Sequence, residues 1–132
     1  MLEIVSVVVD DSLRSTESGC EVQLRLKWYR SLSLSCIDKL EVSLDRQAVD
    51  PGLLSLEING HEFKLEELDD LVEEYWFVQD FATLKINQPG IVKHGESHNV
   101  HVTLAVRYPY IPIGPGRFLT HINDYSAVQV AH

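Results

Sequence analysis

The amino-acid sequence predicts an all-β fold, a single-domain antiparallel β-sandwich with one or two short helical turns. Three observations carry that expectation. Apolar residues recur with period two in several separate runs; turn signals such as Asn59-Gly60, Asp50-Pro51-Gly52 and Gln88-Pro89-Gly90 divide those runs; and no βαβ rhythm of strand and helix is visible. The 132 residues suit one domain, with 1–116 as the sandwich core and 117–132 as a tail that docks as a final strand or on a neighbouring protein. An apolar content of 45% with 23% charged residues is that of a globular chain rather than a disordered one.

Val22, Leu24, Leu26 and Trp28 point to one side of the first long strand, and Gln23, Arg25, Lys27 and Tyr29 to the other. Leu40, Val42 and Leu44 repeat the pattern before the polar turn Asp45-Arg46-Gln47. Leu54, Leu56 and Ile58 then run into Asn59-Gly60, the pair suited to a two-residue type I′ turn because both central residues take positive φ; Phe63 and Leu65 return. From Leu65 to Val72 the apolar spacing becomes helical, but Asp69 and Glu73 repel at i,i+4, so the helix is limited to a turn or two. Ala82, Leu84 and Ile86 mark another strand. The longest, about Ser97 to Tyr108, carries Val100, Val102, Leu104 and Val106 inward, with His101, Thr103, Ala105 and Arg107 outward. Tyr108-Pro109-Tyr110-Ile111-Pro112 is excluded from a central strand because its prolines lack ladder donors.

The charge is unevenly distributed. Residues 57–80 hold nine of the twenty carboxylates and one of the eleven Lys and Arg, which is -8 of the net -9. Scattered basic residues and a pI near 5 argue against nucleic acid as a partner. No apolar run is long enough to span a bilayer, and the N-terminus, with Glu3 and no positive n-region, does not read as a secretion signal, so a cytoplasmic location with no membrane partner is expected. Cys20 and Cys36 sit in no ligand or redox spacing; reduced thiols are the plain reading, with a disulfide between neighbouring strands left open.

No catalytic residue, cofactor site or metal site can be assembled. His98 and His101 differ by an odd number and face opposite sides of a strand, while His94 lies in the preceding loop. The acidic run lacks the residue order of a calcium loop, and adjacent carboxylates on a turn are usually a solvated face. There is no Gly-x-Ser-x-Gly elbow, and Gly114-Pro115-Gly116 lacks the Lys and helix of a phosphate loop. What remains is contact chemistry. Tyr75-Trp76-Phe77-Val78 follows the densest carboxylates, and Tyr108-Pro109-Tyr110 sets stiff aromatic rings on a preset backbone. Arg30, Trp76, Tyr108, Pro109 and Tyr110 are the candidate partner-contact residues; a loop filling the sandwich mouth explains the first aromatic run equally well.

Four segments in order resemble the small beta subunit of bacterial C-glycoside deglycosidases: Asp11-Ser12-Leu13-Arg14, Tyr29-Arg30-Ser31-Leu32-Ser33-Leu34-Ser35, Trp76-Phe77 before Phe81-Ala82-Thr83-Leu84, and Tyr108-Pro109-Tyr110-Ile111-Pro112. The resemblance spans about Asp11 to Pro112. It implies a non-catalytic β-sandwich subunit of a carbon–carbon lyase that acts on C-glycosides oxidised to a 3-keto sugar and releases the aglycone by β-elimination. It also implies a TIM-barrel alpha subunit as partner, holding a divalent metal, usually manganese, with no cofactor in this chain. The alternative from another class is a stand-alone carbohydrate-binding sandwich that stacks Tyr75 and Trp76 on pyranose rings.

Overall fold

The computed structural model describes residues 6–26 and 31–132. Among these residues eleven strands follow one another: β1 Arg14–Thr16, β2 Gly19–Arg25, β3 Leu32–Ser33, β4 Ile37–Leu44, β5 Gln47–Ala48, β6 Leu54–Ile58, β7 His61–Lys64, β8 Tyr75–Trp76, β9 Phe81–Ile86, β10 Ser97–Gly114 and β11 Arg117–Val130. One sheet has the order β1-β2-β9-β6-β7, a second β11-β10-β4-β5, and a small third sheet pairs β3 with β8. Every pairing is antiparallel. The all-β sandwich expected from the alternating runs is therefore the fold observed.

The alternation is cashed in as burial. Val22, Leu24, Leu56, Leu84 and Ile86 of the first sheet, Leu26 just past β2, and Val100, Val102, Leu104 and Val106 of the second sheet belong to one shared apolar core. Trp28 lies outside the described residues. Asn59 and Gly60 both take positive φ, 55° and 79°, and bring Ile58 opposite His61 as the type I′ turn requires. Asp45 and Arg46 make the same left-handed pair between β4 and β5 without any glycine. Gly19 is required for a different reason: a Cβ there would lie 1.9 Å from the Ile86 carbonyl oxygen, so only glycine lets β2 approach the end of β9 this closely.

The helical turn expected between Leu65 and Val72 is a 3-10 segment, Leu65–Asp70, with only Leu68 buried. Glu67 Oε1 accepts the Lys64 amide at 2.8 Å and satisfies one of its open donors. Two further 3-10 turns, Leu34–Cys36 and Pro51–Leu53, are capped by Ser33 and Asp50, whose side chains accept from the amides two residues on. Cys20 and Cys36 are both buried free thiols, and desolvation pushes Cys20 up to about 12, so it stays protonated at neutral pH.

Residues 117–132 take the first of the two places expected of them, that of a final strand: 117–130 is β11, paired with β10 from Ser97↔Val130 to Tyr108↔Leu119 without interruption. The buried Gln129 then fastens it to the N-terminal segment: its Oε1 accepts from the amides of Ser12 and Leu13, both at 2.9 Å, and its Nε2 donates to Tyr125 Oη and the Val9 carbonyl. Each polar atom of that buried amide has a partner, which removes the cost of placing it in the core.

Candidate partner surface

The acidic, aromatic segment leaves the 3-10 turn at Leu71 and is held by hydrogen bonds to the backbone and the serine side chains of residues 31–34. Ser33 Oγ lies 3.0 Å from the Leu71 and Val72 carbonyls, the Leu34 amide donates to the Glu74 carbonyl at 2.8 Å, and the Val78 amide donates to Ser31 Oγ at 3.0 Å. Between these points Tyr75 and Trp76 form β8 against Ser33 and Leu32. Asn59, in the β6–β7 turn, donates to the Glu74 carboxylate at 3.0 Å and the Tyr75 carbonyl at 2.7 Å. The segment is thus pinned at several places along its length.

Period two then divides its aromatics. Trp76 points inward, is 1% exposed, and donates its Nε1–H to the Asp80 carbonyl at 3.0 Å. Tyr75 and Phe77 point outward, with Phe77 49% exposed, and their rings stack at 6.4 Å. Val72, Val78 and Phe81 are also exposed, and the Arg25 guanidinium sits 5.6 Å over the Phe81 ring. Glu66, Glu67, Asp69, Asp70 and Glu73, earlier in the same segment, are exposed as well. Exposed apolar side chains in a segment rich in exposed carboxylates have the composition of a contact surface.

The second aromatic run lies where β10 outgrows its sheet. β4 accompanies β10 only from Val100 to Val106; beyond that point β10 has β11 alone, and the register shifts between Tyr108 and Pro112. A bulge in a two-stranded ribbon tolerates Pro109 and Pro112, which explains how prolines enter a strand here. Tyr108 is fully buried, its hydroxyl 3.3 Å from His121 Nδ1; burial above all, and then Tyr110, raise its pKa to about 12. Pro109 is exposed and Tyr110 half-buried, while Ile113 and Phe118 near the tip are exposed. Arg107 braces the base of this arm: it donates to the Ser35 carbonyl at 2.9 Å and pairs with Asp38.

The structure therefore brings Trp76 and Tyr108 to the interior, where both are core residues, and leaves Pro109 and the edge of Tyr110 at the surface. Arg30 lies outside the described residues. The arm and the aromatic segment are both tied to residues 31–38. Phe77, Phe81, Ile113 and Phe118 are exposed apolar groups that the sequence reading did not single out as contacts. For Phe77 the signal was present, since two adjacent strand residues cannot both face the core.

Two of the three histidines that invited a metal reading, His98 and His101, are engaged separately. His98 Nδ1 lies 2.7 Å from Asp45 Oδ2, and His101 Nε2 lies 2.7 Å from Asp124 Oδ1, which also accepts from Thr103. Among the described residues no three His, Cys, Asp or Glu side chains converge as a metal centre would need. No helix among them is long and apolar enough to cross a membrane.

Comparison with known proteins agrees with the resemblance. A family profile described as C-glycoside deglycosidase beta subunit matches residues 4–110. The chain is 41% identical over 107 residues to a 3'-dehydrocarminate deglycosidase beta subunit from Microbacterium sp., covering 81% of this chain and 80% of the relative. It is 33% identical over 118 residues to a C-glycoside deglycosidase beta subunit of Microbacterium trichothecenolyticum, covering 89% and 88%. A beta subunit of the same description from Arthrobacter globiformis is 32% identical over 114 residues, 86% of each chain. With the profile covering residues 4–110 and these relatives matching over 81% to 89% of the chain, the chain belongs to the C-glycoside deglycosidase beta subunit family.

Proposed function

We propose that this chain is the accessory, non-catalytic subunit of a two-subunit cytoplasmic enzyme that cleaves the carbon–carbon bond between a sugar and its aglycone. One observation carries the reading: similarity along most of the chain to proteins named as deglycosidase beta subunits. The partner is a TIM-barrel alpha subunit. The substrate is a C-glycoside whose sugar is oxidised at C3, and the relative named for 3'-dehydrocarminate supports an oxidised substrate class.

The ketone is what makes the bond breakable. It acidifies the adjacent C2–H; loss of that proton lets the electrons form a C1=C2 double bond, the C1–aglycone bond breaks, and the aglycone takes up a proton as it leaves. The divalent metal, usually manganese, belongs to the barrel; among the described residues of this subunit no three His, Cys, Asp or Glu side chains converge to hold one. What this chain supplies is a fitted surface. The Tyr75 and Phe77 stack with the exposed carboxylates of the same segment, and the arm carrying Pro109 and Tyr110, are the elements offered to the alpha subunit.

Co-expression with a sugar-isomerase-like barrel from the neighbouring reading frame tests this directly. The expected result is one co-purifying complex that turns over a 3-keto-C-glycoside, with no turnover by either chain alone. Turnover by this chain by itself contradicts the reading. Binding of unoxidised glycans by the isolated chain, with a change in intrinsic fluorescence, favours the carbohydrate-binding alternative.

A further inference from the structure

The sheet edges of this molecule are unequal. β1, β5 and β7 end their sheets with only 3, 2 and 4 residues, whereas β11 is an edge of 14 residues. Natural sheets blunt a long edge with Lys, Pro or a covering element, because its unpaired amides and carbonyls invite another strand. From Phe118 to Val130 there is neither Lys nor Pro, and Asp124 is the sole carboxylate. Ile122 and Val128 are 63% and 61% exposed on the outer face of this strand.

The direction of the open groups follows from the strand's end. Ala131 exchanges backbone bonds with the β10 side, its amide with Glu96 and its carbonyl with Gly95, while His132 turns the other way to Leu13 and Ser15. Since register with β10 is unbroken from Leu119 to Val130, odd-numbered residues of β11 bond to β10 and even-numbered ones, from Thr120 to Val130, direct amide and carbonyl to the open edge. Among the described residues, Leu13 and Ser15 bond to that edge at His132.

We propose that two copies of this chain pair through β11, antiparallel about a two-fold axis through Tyr125, joining two four-stranded sheets into one continuous sheet. In this register the edge is complementary to itself at both its apolar and its polar positions. Ile122 then meets Val128 of the second copy and Val128 meets Ile122, while Asp124 lies beside Ser126 in both directions. A shift that centres the axis on Asp124 sets carboxylate against carboxylate, which cross-strand pairing disfavours. Such an isologous contact closes at two copies and leaves no further edge of this length. It also keeps the acidic segment out of the contact, since residues 57–80 contribute no strand to the β11 sheet.

Sedimentation of the full chain over a concentration series tests the pairing. The expected species is a pair of copies, and the Ile122→Lys/Val128→Lys variant, changed only at exposed positions, sediments as one copy with an unaltered circular dichroism spectrum. Ser126→Asp sets a second carboxylate against Asp124 twice over and weakens the pair about tenfold, whereas Ser126→Lys tightens it. A wild-type chain that remains single at the highest concentration overturns the proposal. So does a double Lys variant that pairs undiminished, or equal weakening by Ser126→Asp and Ser126→Lys. If the chain is single and the double Lys variant instead loses the co-expressed barrel, the edge belongs to that other protein and the pairing is refuted.

Discussion

One strand, β10, passes through two environments. From Ser97 to Val106 it lies with β4 on one side over Val100 to Val106 and β11 on the other, and every second residue disappears into the core. From Arg107 to Gly114 it keeps only β11, the register shifts, and Pro109, Pro112 and Ile113 are exposed. The first half answers to its own domain: each inward side chain has neighbours within the chain. The second half is apolar without enough of its own core to cover it. The same contrast appears within three residues of the acidic segment, where Trp76 is a core residue and Tyr75 and Phe77 are not.

The contrast makes opposite predictions for the two halves. Leu104, 1% exposed, packs in the shared core, so Leu104→Ala removes buried methylenes and leaves a cavity, at a cost of about 2 to 5 kcal/mol. Denaturant unfolding of the chain alone reads this as a lower midpoint, and an unchanged midpoint places the core elsewhere. Tyr110→Ala is expected to act on assembly instead, weakening the complex with the barrel subunit by about 2 kcal/mol or more while shifting the unfolding midpoint less than Leu104→Ala does. Titration of the two purified subunits measures it. Phe77→Ser, at a side chain half in solvent, is the smaller counterpart: a change in stability within about 0.5 kcal/mol, with loss of affinity for the partner. If both surface variants assemble like the wild type, the exposed half of β10 and the Phe77 stack are not the contact.

The physical reasons for what the sequence revealed differ by element. β2, β4, β6, β9 and the first half of β10 each have one buried and one wet face, and alternation reports such strands well. Asn59-Gly60 was legible because its conformation is chemically restricted. β11 was read as a mixed tail because Leu119, Tyr125 and Ala127 are apolar on one parity and Phe118, Ile122, Val128 and Val130 on the other; two apolar faces erase the period. β3 and β8 were invisible, since two-residue strands are fixed by tertiary hydrogen bonds such as those of Ser31 and Asn59 rather than by pattern. For the site, residue chemistry found Pro109 and Tyr110 at the surface. It could not show that Tyr108 and Trp76 are internal, because the alternation of a run is legible but its phase is set by the core it meets.

The two ends of β10 also differ in how they are pinned, and the smallest prediction concerns the core-side end. Asp45, in the β4–β5 turn, is exposed, yet its carboxylate takes two bonds from the start of β10: His98 at 2.7 Å and the Asn99 amide at 2.9 Å. The His98 bond first, and the Asn99 amide second, hold its pKa below the ordinary 3.8. A carboxylate with a depressed folded-state pKa contributes stability that is complete above its unfolded value and is lost as pH falls through the folded one. Asp45 therefore adds to stability at neutral pH and ceases to do so on acidification below about pH 4. Asp45→Asn should lower the denaturation midpoint slightly at pH 7, and the difference from wild type should shrink toward zero as pH falls through this window. Solvent around Asp45 weakens every such interaction, so the effect ranks below those of Leu104 and Tyr110. Asparagine is as much at home as aspartate in the left-handed backbone of this turn, where φ is 51°, so a difference that stays constant with pH would show that Asp45 acts through its two acceptor oxygens, of which asparagine keeps one, rather than by its charge.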